Sequence, residues 1–282
     1  MKKPPSDIRK FLFRVGMAAR ENELLKNLES RKFTCIEMYV KVFGIPKSLL
    51  HCGAHLGEEN AEYLDLGIKK IAYVEAQPTL VQKLCYEFGE KNVYAGCLFE
   101  KSGHKIDFHI TSNSLSSSIR PIDEGNKWGI HNSSKIKLIS TTLDDVARDY
   151  FLRNRQLPEV LILDLQGSEY EALNGGRYFL QRGTPIILEY CTYELFKGQR
   201  SLADIVDLLS TYGYQLAYKD GTDSEGEALF VHGDKRTFIK MRKIQTVTLL
   251  RTQRILLARL IKVTFIKLSI ELVQLSKFGA RK

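Results

Sequence analysis

HCGAHLGEE, His51–Glu59, follows the apolar run Ser48-Leu49-Leu50 and precedes IAYVEA, Ile71–Ala76. Two glycines in a row of small and polar residues, between a strand-length apolar run and a helical stretch, read as the first strand-to-helix turn of an α/β sheet. In such sheets ligands bind outside the carboxyl ends of the strands, where strand order reverses. A dinucleotide turn needs G-x-G-x-x-G, but here His55 stands two residues after Gly53 and Glu58 takes the third glycine position. That side chain and that charge exclude a pyrophosphate, and no GxxxxGK[ST] occurs, so the turn does not cradle phosphates.

The pattern repeats outward from the turn. Near-continuous apolar runs recur, SLLHC, IAYVEA, NVYAGCLF, EVLILDL and PIILEYC, with PTLVQKLCYEFGE, SEYEALNGGRYFL and RSLADIVDLLSTYG among the stretches between them. Strands buried on both faces, alternating with amphipathic helices, predict a parallel sheet covered on both sides. At the end YQLAYKD and EALFVHG follow one another with no helix between, which predicts an antiparallel hairpin at one edge. Residues 1–47 read as an N-terminal helical segment, 48–234 as the α/β domain and 235–282 as a basic amphipathic tail. From Thr111 to Lys137 the chain is polar and Ser- and Gly-rich, fits neither element type and contains the only tryptophan, Trp128.

The 282 residues carry a net charge of +9, but the average misleads. The tail holds 13 basic residues against one acid, net +12, and residues 1–234 hold 29 basic and 32 acidic, net −3. In the tail, Thr248, Arg251, Arg254 and Lys262 fall on one helical face and Leu249, Leu256, Leu257, Leu260 and Ile261 on the other. With Arg and Lys recurring through it, no span suits a bilayer core. A membrane surface and the slightly acidic body of the protein compete as its partner, ahead of nucleic acid. Five scattered cysteines without a CxxC argue against disulfides and zinc, and nothing in the sequence calls for a metal. The N-terminus lacks the unbroken apolar run of a secretory signal. The expectation is a cytoplasmic protein, with the tail offering contact to the inner membrane surface.

Glu75 ends the second strand, where a carboxylate can accept hydrogen bonds from both hydroxyls of a ribose. A ribose site without a pyrophosphate site, on a sheet ending in an antiparallel hairpin, points to S-adenosylmethionine. The competing reading makes the glycines an ordinary turn and Glu75 a surface acid; strand, helix and acid in sequence favour the ligand.

HCGAHLGEE with YVEAQP, then SNSLSSSI, LILDLQGSEYEALNGG and LEYCTYELFKGQRSL, resembles the FkbM family of S-adenosylmethionine-dependent methyltransferases, from about Leu49 to His232. Any one motif is weak and the ordered set is specific. Most members carry an acid at the position of His51 and Asn at that of His55, so the chain falls in an HxGAHxGEE branch. The resemblance implies the class I methyltransferase fold, a Rossmann-like seven-stranded sheet with a terminal hairpin. It places Gly53, Ala54 and Gly57 at the methionine part of the cofactor, Glu75 at the ribose, Cys97 and Leu98 beside the adenine, and His51 and Ser117 at the cofactor. Ser118, Tyr193 and Glu194 fall in segments where acceptor contacts are expected.

Asp164 ends VLILD, the most apolar strand, so its carboxylate would emerge at the ligand edge as a base or positioning group. Ser168 and Glu171 form an S-x-x-E pattern that predicts a capping box. Glu169, in the first helical turn, either faces the substrate or favours the helix dipole. The expected activity is methyl transfer to a hydroxyl of a small molecule, sugar, glycan or glycolipid. The alternatives are RNA methylation using the tail, and a cofactor-binding module that has lost transfer.

Overall fold

The computed structural model describes residues 33–233 and residue 239. The amphipathic reading of the tail, and residues 1–32 of the N-terminal segment, lie outside the described residues. Four-residue runs buried on both faces, Leu49–Cys52 (β1) and Val160–Leu163 (β7), form the centre of the sheet. Full burial of each such aliphatic side chain is worth roughly 1.5–3 kcal/mol. Ile71–Glu75 (β2) and Val93–Ala95 (β3) extend the sheet on one side. Ile186–Cys191 (β8), Glu225–His232 (β10) and Tyr214–Lys219 (β9) extend it on the other. The order is β3-β2-β1-β7-β8-β10-β9, parallel except for β10, which runs antiparallel to both neighbours. The expected hairpin is present, with β10 inserted between β8 and the edge strand β9. Strand order reverses between β1 and β7, so the carboxyl ends of those strands flank the crevice where ligands bind.

Helix α1, Cys35–Phe43, starts on a capping box between Thr34 and Glu37. Its apolar side packs against β10 and β9, within a compact unit that runs from Phe33 to Lys235. Asp220 and Glu227 both accept from the Cys35 amide, at 3.1 and 3.3 Å. They satisfy the start of the helix, although their ligand atoms and the Cys35 thiol lie within 4.8 Å of one another. Among the described residues the further named α-helices are Asn60–Asp65 (α2), Pro78–Phe88 (α3), Leu143–Asn154 (α4), Glu169–Asn174 (α5), Arg177–Leu180 (α6) and Leu202–Ser210 (α7). Among the described residues no helix is long and apolar enough to cross a membrane.

Two expectations need correction. The run NVYAGCLF is not one strand: it breaks at Gly96, and Cys97–Leu98 (β4) joins a second sheet of order β4-β6-β5. The polar stretch Thr111–Lys137 is not all loop either. Lys105–Thr111 (β5) and Asn132–Thr141 (β6) pair antiparallel, which leaves Ser112–His131 as the connection. Much of β6 is exposed, so too little apolar surface is buried for its composition to announce a strand.

Candidate active site

The first turn is bound tightly to both neighbours of β1. Gly53 N–H and Ala54 N–H donate to Val74 O, at 2.9 and 3.2 Å, and Asp164 N–H donates to Cys52 O at 2.9 Å. Gly53 has φ +84°, and a Cβ there would lie 1.7 Å from Asp164 O, so only glycine lets the turn approach β7 this closely. Glu75 ends β2 at 5% exposure and accepts from the backbone amides of His55, Ala76 and Gln77 at 2.9, 2.9 and 2.8 Å. Burial pushes its pKa up, against the pull of those three amides.

Gly53, Glu75, Cys97, Leu98, Ser117 and Asp164 line one cleft, with Val74, Phe108 and Ile119 as apolar wall. Glycine turn, carboxylate and apolar wall suit a nucleoside bearing an amino-acid side arm. Three of about four lone-pair sites on Glu75 are taken, which leaves acceptor capacity for one ribose hydroxyl rather than the two expected. The cleft has about 50 Å³ of free volume, and the arm Ser114–Ser117 contributes Ser114, Leu115 and Ser117 to its lining. His55 holds that arm: Nε2 meets Ser114 Oγ at 2.9 Å while Nδ1 meets Glu58 Oε1 at 2.6 Å.

Beyond β7 the chain turns through two consecutive left-handed residues, Gln166 (φ +53°) and Gly167 (φ +85°). Non-glycine residues are uncommon in that region, and here it aims the Gln166 amide back at the sheet edge. Its Nε2 donates to Asp164 Oδ1 at 2.6 Å and to Glu189 Oε2 at 2.9 Å. Gln166 lines both the cleft and a larger cavity of about 730 Å³. Glu169, Glu189, Tyr193, Glu225, Gln199 and Trp128 face that cavity. Glu169, itself buried, accepts from Leu165 N–H at 2.8 Å and Gly167 N–H at 3.3 Å through the same oxygen. Burial raises its pKa to about 7.

Folded Glu169 thus binds its proton more tightly than the unfolded chain, whose carboxyl titrates near 4.5. Its contribution is full below pH 4.5 and is lost as pH rises toward 7, by up to about 3 kcal/mol at 1.36 kcal/mol per pKa unit. Urea unfolding at pH 5 and pH 8 should show a smaller loss of stability in Glu169→Gln than in the parent. An equal loss in both would show that Glu169 is not the group responsible.

Several residues expected at the site lie outside both cavities. His51 is 2% exposed inside the sheet, with Nδ1 3.1 Å from Tyr63 OH. Ala54 is buried under the turn, and Gly57 faces the Phe88 ring, where a Cβ would come within 2.7 Å. Ser118 is buried, its hydroxyl accepting from Arg120 N–H and donating to Leu165 O. Glu194 accepts from Gly198 N–H and braces its own loop. The capping box is not formed: Ser168 Oγ donates to Leu165 O. Glu171 instead pairs with Arg120 at 2.5 Å, which ties the segment after the serines to α5. Removing one partner of a buried ion pair strands the other charge, so Arg120→Ala should cost about 3–5 kcal/mol in chemical denaturation. A loss under about 1 kcal/mol would mean that the pair is effectively solvated.

Glu189, Gln166 and Glu225 were not singled out as site residues. Glu189 carries a related signal, an acid interrupting the apolar run PIILEYC two residues before the end of β8.

A seven-stranded sheet of this order, with one antiparallel strand next to the last edge and a glycine turn at the strand reversal, defines a class I methyltransferase. The model of the FkbM methyltransferase domain matches residues 51–216, and the chain belongs to that family of S-adenosylmethionine-dependent methyltransferases. A curated relative, the 2-O-methyltransferase NoeI of Sinorhizobium fredii (strain NBRC 101917 / NGR234), is 24% identical over 190 residues, covering 63% of this chain and 76% of its own. Solved structures that match include the following two. One is magnesium protoporphyrin IX methyltransferase (ChlM) from Synechocystis PCC 6803 with bound S-adenosylmethionine, at TM-score 0.39 and 12% identity, covering 83% of this chain and 87% of that one. The other is a TehB-like methyltransferase from Corynebacterium glutamicum ATCC 13032, at TM-score 0.37 and 11% identity, covering 78% and 97%.

Proposed function

We propose that the protein transfers a methyl group to a hydroxyl oxygen of a sugar, in a glycan or glycolipid, seated in the larger cavity. The observation that carries this reading is the junction at Gln166. A cavity of about 730 Å³ with carboxylates and an aromatic wall meets the cofactor cleft there, at the carboxylate of Asp164. The name of the relative NoeI, a 2-O-methyltransferase, supports an oxygen acceptor.

S-adenosylmethionine supplies an electrophilic methyl on a sulfonium, so that a carbon–oxygen bond forms as the carbon–sulfur bond breaks and S-adenosylhomocysteine is left. The chain supplies the rest. Gly53 and the turn, Glu75, Cys97, Leu98 and Ser117 hold the cofactor. Asp164 orients the acceptor hydroxyl and takes its proton, and Glu169 faces the acceptor from α5. Alignment of reactants accounts for roughly 7–11 kcal/mol of barrier, more than a base contributes, so the cavity walls matter most.

Trp128 and Tyr193 form that wall, with ring centroids 5.8 Å apart and the Lys127 ammonium over both, at 4.4 and 5.1 Å. Flat apolar faces beside carboxylates suit a pyranose, which is apolar on one face and rimmed by hydroxyls. Glu169, Glu189 and Glu225 against Arg200 repel phosphates, which disfavours an RNA acceptor.

Labelled-methyl transfer into fractionated glycans, lipids and RNA from the source cell tests the reading: label in a glycan or glycolipid fraction is expected, and label confined to RNA would overturn it. With the acceptor in hand, Trp128→Ala should raise its KM roughly two- to tenfold, the equivalent of an aromatic contact, with cofactor affinity unchanged. An unaltered KM would remove Trp128 from the acceptor site.

A further inference from the structure

His55 sits in the first turn at φ +47°, a region that few side chains enter. The turn holds it there: its own N–H donates to Glu75 Oε2 at 2.9 Å, and Gly57 N–H donates to Ala54 O at 2.6 Å. From that backbone the ring reaches two partners at once. Nδ1 lies 2.6 Å from Glu58 Oε1, and Nε2 lies 2.9 Å from Ser114 Oγ, 59 residues along the chain. Strained residues persist where their surroundings over-determine them, and they gather at functional sites.

The carboxylate decides which atom donates. Burial works against ionisation of Glu58, but the hydrogen bond from His55 and those from backbone amides, Leu56 N–H at 3.1 Å among them, outweigh it and lower its pKa. An ionised Glu58 only accepts, so Nδ1 carries the hydrogen of that bond. Nε2 of the neutral ring is then the acceptor, and the Ser114 hydroxyl donates to it. Hydroxyl, base and orienting carboxylate thus stand in a row, the arrangement that activates a serine. The His55 side chain is only 14% exposed, whereas Ser114 is open to solvent. The base is sheltered and the hydroxyl is within reach of a substrate. Both residues line the cofactor cleft at its rim, and the methyl transfer proposed above assigns no chemical step to either.

We propose that Ser114, with His55 as its base and Glu58 holding the ring, is a nucleophile toward small carboxylic esters, a second activity beside methyl transfer. Ser114 Oγ attacks the ester carbonyl carbon as its proton passes to His55 Nε2. The bond to the alkoxy oxygen breaks, and the leaving alkoxide takes that proton and departs as an alcohol. Water then attacks the acyl-serine, its proton passes through His55 to Ser114 Oγ, and a carboxylic acid leaves. The neighbouring Leu115 is 52% exposed, and an open serine beside an aliphatic side chain suits a short acyl group.

The test needs neither S-adenosylmethionine nor a methyl acceptor. The full chain is treated with a fluorophosphonate, which phosphonylates activated serines with loss of fluoride, and its peptides are mapped by mass spectrometry. The adduct is expected on Ser114. His55→Asn removes the base and keeps a residue that tolerates positive φ, and Glu58→Gln removes the orienting charge. Each should slow labelling by about 10²-fold or more. The parent should also cleave p-nitrophenyl acetate, and Ser114→Ala should lose most of that rate. Circular dichroism reports whether each variant folds, and should either His55→Asn or Glu58→Gln fail to fold, the other carries the comparison. A parent unlabelled at Ser114, labelling undiminished in a folded variant, or ester cleavage equal in Ser114→Ala would overturn the proposal. None of these results touches the proposed methyl transfer, which the labelled-methyl experiment decides separately.

Discussion

Asp164→Asn is expected to bind S-adenosylmethionine as the parent does while turnover falls by about 10²–10⁴-fold, the range for loss of a positioned acid–base group. The substitution keeps the shape of the side chain, and an Asn oxygen can still accept from Gln166 Nε2, now 2.6 Å from Asp164 Oδ1. What disappears is the charge, and with it the ability to take a hydroxyl proton. Stability should hold or rise, because burial raises the pKa of Asp164 and the variant no longer ionises there. Calorimetry of cofactor binding, single-turnover methyl transfer and a melting curve separate the effects. Turnover within a few-fold of the parent would dismiss Asp164 from the reaction, whatever the binding data show.

Gly53→Ala should be the most damaging substitution for the fold, at more than about 4 kcal/mol, the exceptional end for single replacements. Two costs coincide. The backbone sits at φ +84°, where L side chains are strained, and the new Cβ would press to 1.7 Å from a backbone oxygen, Asp164 O. Neither strand can move away, since Gly53 N–H is bonded to Val74 O and Asp164 N–H to Cys52 O. Gly57→Ala is the control: it too has a positive φ, but its Cβ would meet the side chain of Phe88. A ring can shift, so about 1–3 kcal/mol is expected there. Urea unfolding of both variants decides. If Gly53→Ala lost no more than Gly57→Ala, the junction of β1 and β7 would be looser than described.

Legibility from sequence followed burial. The central strands β1, β2, β7 and β8 stand out because both faces are covered, so nearly every residue is apolar. The β5/β6 pair did not, since one face meets solvent and its polar residues look like loop. Acids at strand ends are legible in sequence, as Asp164 and Glu75 show, whereas Glu189 stands inside the run IILEYC, where position along the strand does not mark it. The Ser168–Glu171 spacing predicts a local cap, but a half-buried Arg120 from 51 residues earlier takes the Glu171 carboxylate. Local patterns lose to a long-range charge when the site is dry.

Periodicity and the glycine turn by themselves determined the α/β class, the closing hairpin, the refusal of a pyrophosphate and the strand ends where ligands meet the sheet. These follow from backbone sterics and from which residues can be buried, both of which act along the chain. Only the folded molecule decided that Asp164, Gln166 and Glu189 meet, that Ser114 reaches His55 across the cleft, and that His51 points inward rather than at a ligand. Those contacts join residues up to 59 positions apart, and their energies depend on desolvation and charge proximity, which exist only once the strands lie side by side.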